Sequence, residues 1–196
     1  LSCGTVPVII GRPLKEEGLS VAECRHMLAE YFGFTVKPHI TLLGIGMGNQ
    51  ETLTVQGKKT AKSADLIIGA KRMADAVREP GQAVVYEYRS DVIADYIRNH
   101  PEYEKVVIAL SGDVGFYSGA KKLQAVLAED ADFSVRVEPG ISSLVYFCAK
   151  IGVSWEDAAF VSLHGQHCNF LETVRRNRKT LAIAGERAVS GKSARR

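Results

Sequence analysis

The sequence predicts an α/β fold with mainly parallel sheet. Three observations point there. From residue 39 onward, short apolar runs alternate with segments of helical spacing. Two of the runs, Leu66-Ile67-Ile68 and Val106-Val107-Ile108-Ala109-Leu110, are continuous, as expected of strands covered on both faces. Turns rich in Gly, Ser and Pro leave the runs at 44–48, 111–115 and 138–143. These loops all fall at the carboxyl ends of strands, where α/β folds hold ligands.

The elements follow in order. Val6 to Ile10 reads as a short strand and Gly11-Arg12-Pro13 as a turn. Leu19 to Phe32 has helical spacing, with Ser20 as N-cap, Glu23 as its capping-box partner and Gly33 as the stop. Lys37-Pro38 leads into the next strand. Strands are expected at 40–45, 65–69, 83–87, 105–110, 133–137, 159–163 and 180–184, and helices at 53–63, 71–77, 91–98, 116–128, 142–151 and 170–176. The acidic stretch Glu129 to Asp132 breaks the pattern, and a second small α/β unit is expected to begin at Phe133.

Composition narrows the function. The chain has 196 residues, 46% hydrophobic and 24% charged, enough for one sizeable domain or two small ones. It has no apolar run near the ~18 residues of a membrane span and opens on no signal segment, so a soluble cytoplasmic protein is expected. The net charge of +3 is carried by residues 186–196, where Arg187, Lys192, Arg195 and Arg196 face only Glu186. The neutral remainder argues against nucleic-acid binding, which needs a basic face. Cysteines 3, 24, 148 and 168 form no C-x-x-C pair and read as reduced structural thiols. His164, His167 and Cys168 carry metal-ligating atoms, but the Gly and Gln between them favour a pocket-shaping loop, and no metal is expected.

The run ITLLGIGMG at 40–48 invites a dinucleotide reading. The fingerprint requires a third glycine where this chain has Asn49, and an acid at the end of the second strand, whereas Asp65 precedes that strand. In the second loop, Asp113 serves equally well as a ligand acceptor or as the cap of a helix from Phe116. In the third, Ser142 or Ser143 is a natural N-cap, or a small hydroxyl that leaves room for a ligand. No G-x-S-x-G, Walker lysine loop or H-E-x-x-H is present. An enzyme of this kind works by aligning two reactants rather than by a strong acid or base.

Together, GIGMG at 44–48, IIGAKR at 67–72, LSGDVGFYSGAKKL at 110–123, VEPGISS at 137–143 and SLHG at 162–165 resemble the tetrapyrrole (corrin/porphyrin) methylases. The resemblance runs from about residue 39 to 184. It is nearest to the branch that methylates carbon 5 of precorrin-7 or cobalt-precorrin-7 in cobalamin biosynthesis. It implies two α/β domains with mainly parallel sheets and S-adenosylmethionine held in the cleft between them. It also implies a tetrapyrrole substrate and, as is common in the family, a homodimer. By the same resemblance Gly112, Asp113 and Phe116 lie against the methionine part of the cofactor, Ser142 and Ser143 beside it, and Leu163 near the adenosine. Met47 touches the cofactor, while Gly44, Gly46 and Gly48 face the tetrapyrrole. Lys71 and Arg72 are partners for its carboxylates, or else solvated cations at a helix start.

This chain departs from the family pattern at Val114 and Met47, where the family has Pro, and in its closing GERAVSGKSARR. That ending leads us to expect a shortened second domain. The expected organisation is then 37–128 as the first methylase domain, 129–184 as a partial second one, and 185–196 as a disordered basic tail. Residues 1–36 resemble the C-terminal end of precorrin-6A reductase, which implies a reductase tail or linker and a fusion or association with other corrin-pathway enzymes. Two other readings stand beside the methyltransferase. One is a non-catalytic fragment that at most binds a tetrapyrrole; the other is a nicotinamide oxidoreductase, against which Asn49 argues.

Overall fold

The computed structural model describes residues 21–33, 37–163 and 170–183. The elements are α1 (Val21–Phe32), β1 (His39–Gly44), α2 (Val55–Lys62), β2 (Leu66–Gly69), α3 (Lys71–Val77), β3 (Ala83–Tyr86) and α4 (Ser90–Asn99). They continue with β4 (Lys105–Leu110), α5 (Ala120–Ala128), β5 (Ser134–Glu138), α6 (Ser143–Ile151), β6 (Ala159–Ser162), α7 (Phe170–Arg176) and β7 (Thr180–Ile183). The expected strand at 6–10, the Ser20 cap and the tail from 185 lie outside the described residues, as do His164, His167 and Cys168.

Local chemistry sets the boundaries. Gly33 takes φ 70 after α1. Thr54 caps α2, its Oγ1 accepting from Gly57 N at 2.9 Å, an interaction that contributes about 1 kcal/mol. Gly152 ends α6 in the left-handed region, φ 66, and Val153 N reaches back to Cys148 O at 3.0 Å.

Five strands form one parallel sheet in the order β3-β2-β4-β1-β5. Strand alternation sorts its apolar residues to two faces. Ile40, Leu42, Leu66, Ile68, Val106 and Ile108 pack on one side with Ile93 and Ile97 of α4 and Leu123 and Leu127 of α5. Leu43, Ile67, Val107 and Ala109 pack on the other with Ala61 of α2 and Ala74 and Val77 of α3. Burying each large side chain stabilises by about 1.5–3 kcal/mol, so β1 and β4, covered on both sides, anchor the fold. That is why their sequences are continuously apolar.

A boundary at residue 128 does not separate the sheets. β5, expected to open the second unit, is the edge strand of the first sheet, pairing with β1 from His39↔Ser134 to Leu43↔Glu138. The acidic turn before it is tied back to the body: Arg98 Nε meets Asp130 Oδ2 at 3.1 Å, and Lys37 Nζ meets Asp132 Oδ1 at 3.3 Å. The remaining strands, β6 and β7, make a separate two-stranded parallel sheet. Around them Cys148 and Val161 are buried, whereas Phe147, Ile151, Leu171 and Val174 stay exposed.

Candidate active site

Three loops meet at the carboxyl ends of β1, β4 and β5. Gly46 and Gly112 exchange backbone hydrogen bonds, Gly46 N to Gly112 O at 3.1 Å and Gly112 N to Gly46 O at 2.9 Å. A Cβ on Gly140 would fall 2.3 Å from Gly112 O and 2.5 Å from the Gly44 carbonyl carbon. The first-loop glycines are therefore needed by the protein's own backbone. Gly44 serves loop-to-loop packing, while Gly46 (φ 62) turns tightly over Thr52. Met47 N is tied to Thr52 Oγ1 at 3.0 Å.

Asp113 fastens the junction. Its Oδ1 accepts from Gly115 N at 2.9 Å and its Oδ2 from Gly140 N at 3.2 Å. The cap expected for a helix from Phe116 is therefore a turn cap joined to a bridge between loops. The helix itself, α5, starts later, at Ala120, because residues 114–119 form an irregular turn closed by Ser118 Oγ donating to Val114 O. Ser142 occupies the N-cap position of α6 without capping it. Its Oγ is buried and has no hydrogen-bond partner among the described residues.

Beside this junction lies a cavity of about 600 Å³ between the first sheet and the second lobe. Phe116, Ser143 and Ser111 line it, and Ile183 of β7 closes it from the other lobe. Phe116 also meets Phe160 of β6 edge-on, with ring centroids 5.9 Å apart. Leu163 continues β6, its N–H bonded to Ile183 O at 2.8 Å. Of the residues expected at the cofactor, Phe116 and Ser143 line this cavity, whereas Asp113 stands at the loop junction beside it. The wall formed by Glu87, Tyr88 and Tyr117 was not singled out in the sequence. The available signal was that the loop after β3 also leaves the carboxyl edge of the sheet.

The two cations at the start of α3 differ. Lys71 Nζ pairs with Asp75 Oδ2 at 2.7 Å and sits 4.7 Å from the Tyr86 ring centroid. The Asp75 hydrogen bond raises the Lys71 pKa and lowers that of Asp75. Arg72 has no ion pair or hydrogen bond among the described residues, and its Nη1 stands 3.4 Å from where a Cβ of Gly48 would be. Arg72 is the cation left open beside the glycine loop.

Residues 39–191 match the family model described as Tetrapyrrole (Corrin/Porphyrin) Methylases. The chain belongs to the tetrapyrrole methylase family. The match extends past residue 184, where the sequence resemblance was expected to end. As a tetrapyrrole methylase the chain is a C-methyltransferase. The methylase is 29% identical over 150 residues to the probable cobalt-precorrin-7 C(5)-methyltransferase of Methanocaldococcus jannaschii, covering 74% of this chain and 70% of that one. It is 28% identical over 149 residues to the cobalt-precorrin-7 C(5)-methyltransferase of Salmonella typhimurium, covering 76% and 72%. Among solved structures, precorrin-6Y methylase (CbiE) from Archaeoglobus fulgidus superposes with a TM-score of 0.55 at 26% identity, covering 74% and 73%. The methyltransferase CobJ gives a TM-score of 0.59 at 22% identity, covering 71% of the methylase and 62% of CobJ, and this shows the shared fold. Among the described residues no helix is long and apolar enough to cross a membrane.

Proposed function

We propose that this corrin-pathway C-methyltransferase uses S-adenosylmethionine to methylate carbon 5 of precorrin-7 or its cobalt form, in the cytoplasm. The observation that carries the reading is the three-loop junction beside the cleft. It puts a buried Ser142 hydroxyl without a partner among the described residues, the first turn of α6 and the Asp113 carboxylate at one place. That donor and acceptor set fits the amino-acid end of such a cofactor, which carries both a carboxylate and an ammonium. Phe116 and Leu163 offer apolar surface to the remainder.

S-adenosylmethionine supplies a methyl group already activated on a sulfonium. The chain's own contribution is alignment and exclusion of water. Asp113 holds the second and third loops in register, and Gly44, Gly112 and Gly140 let the three backbones close on one another. Arg72 offers an open guanidinium to a substrate carboxylate, a bidentate pairing that Arg geometry favours. The relatives named as cobalt-precorrin-7 C(5)-methyltransferases support the choice of carbon. Two methylase domains remain our organisation for the chain, with the division placed after β5.

Isothermal titration with S-adenosylhomocysteine tests the reading. Saturable binding in the micromolar range is the expected result, and absence of heat at high micromolar ligand would remove it. The thin packing of the second lobe, with Phe147 and Ile151 exposed, favours a second reading, a chain that binds a tetrapyrrole without transferring methyl. A methyl-transfer assay separates the two.

A further inference from the structure

The cleft has a wall that the cofactor reading does not use. Tyr88, in the loop after β3, and Tyr117, in the loop after β4, line the same cavity. Both rings are open to solvent, 79% and 54% exposed. The small residues Gly69, Ala70 and Ala109 line the cavity as well, beside the larger Ile93, Ile108 and Leu123. Gly69 has no space for a side chain, since a Cβ there would fall 2.9 Å from Ala109 O. Two aromatic residues from separate loops thus share one cavity with this close-packed strand end.

Both tyrosines are held in place. Glu87 Oε1 accepts from Tyr88 N at 2.8 Å and Arg89 N at 3.0 Å, and its Oε2 accepts from Arg89 Nη2 at 2.9 Å. One carboxylate thereby fixes the backbone on both sides of the Tyr88 Cα. Tyr117 is the only non-glycine residue with positive φ among the described residues, at 48°. Backbone strain of this kind gathers at ligand clamps. The Tyr117 ring stands edge-on to Phe116, which lines the same cavity, with centroids 5.0 Å apart.

We propose that Tyr88 and Tyr117 are specificity-determining residues that grip the flat face of the macrocycle, and that Glu87 is the positioning residue for Tyr88. The proposal rests on the tetrapyrrole reading and deepens it. Aromatic faces suit a conjugated ring, and Arg72, open beside the glycine loop, suits one of its peripheral carboxylates.

The test uses uroporphyrin III, a stable polycarboxylated tetrapyrrole, titrated by fluorescence, with S-adenosylhomocysteine titrated in parallel. Tyr88→Ala and Tyr117→Gly should each weaken uroporphyrin about three- to tenfold, the range expected for a lost aromatic contact, and leave the cofactor analogue within about twofold. Glu87→Gln should weaken uroporphyrin in the parent background and add nothing to Tyr88→Ala, a non-additivity that a general loss of stability would not produce. Unchanged uroporphyrin affinity in both tyrosine variants, or equal weakening of both ligands, overturns the proposal. A parent that binds S-adenosylhomocysteine but not uroporphyrin also overturns it while leaving the methyltransferase standing. A parent that binds neither removes both.

Discussion

Asp113 Oδ2 accepts a hydrogen bond from Gly140 N at 3.2 Å, across 27 residues of chain. With Oδ1 on Gly115 N, the carboxylate joins the loop after β4 to the loop after β5. Asp113→Ala removes both bonds and leaves two backbone N–H groups without their acceptor. Hydrogen bonds to charged groups contribute about 1.5–3 kcal/mol. We expect a lower Tm and weaker S-adenosylhomocysteine binding together, measured by calorimetry and titration. A fall in Tm with unchanged affinity would make the residue purely structural.

Gly140→Ala should be among the most damaging single-methyl additions. The new Cβ meets backbone atoms of both Gly112 and Gly44 at 2.5 Å or less, and backbone cannot rotate aside as a side chain can. Overpacking costs about 1–3 kcal/mol, sometimes more. Gly119→Ala is the control, because nothing lies within 4 Å of its Cβ position. Thermal melts of the two variants should differ clearly.

Arg72→Glu should weaken a polyanionic tetrapyrrole more than Lys71→Glu. Lys71 is already neutralised by Asp75 at 2.7 Å, and exposed pairs of this type contribute only about 0–1 kcal/mol to stability. Uroporphyrin titration of both variants gives the ranking. Equal effects would mean that the Lys71–Asp75 pair opens for the ligand.

Glu87 makes stability depend on pH in a defined window. The Arg89 side chain, then the Arg89 and Tyr88 N–H groups, hold its pKa down to about 2 from an ordinary 4.5. A depressed carboxylate pKa gives stability that is present above the unfolded value and lost as pH falls towards the folded one. The contribution is therefore intact above pH 4.5 and fades between there and about 2. Asp75, Asp130 and Asp157 are lowered too, so the comparison is between parent and Glu87→Gln. The Tm of the variant should vary less steeply across that window.

Hydrogen exchange should divide the molecule after β5, not before it. Amides of β1, β2 and β4 have strand neighbours on both sides and side chains buried on both faces, so they should exchange slowest. Among the described residues β6 and β7 pair only with each other, and a two-stranded sheet is marginal alone. They should exchange faster. Equal protection of β4 and β6 would contradict this.

The order of elements was legible in the sequence, because continuous apolar runs, caps and glycine stops are local properties. The sequence also pointed to the family, since five short motifs recur in order, and it singled out Phe116 and Ser143, which line the cavity, and Asp113, which fastens the loop junction beside it. Whatever depends on contacts distant in the chain was settled by the fold. It placed β5 in the first sheet through pairing with β1, a choice that no pattern within 134–138 encodes. It showed that Gly44 and Gly46 serve the protein's own backbone, because a Cβ on Gly44 would meet the loops of Gly112 and Gly140 and one on Gly46 would meet Thr52 across its own turn. It separated Lys71 from Arg72, adjacent in sequence, by giving one a partner and leaving the other open. And it brought Tyr88 and Tyr117 to one cavity, because β2 lies between β3 and β4 and the loops of the two outer strands flank its small-residue end.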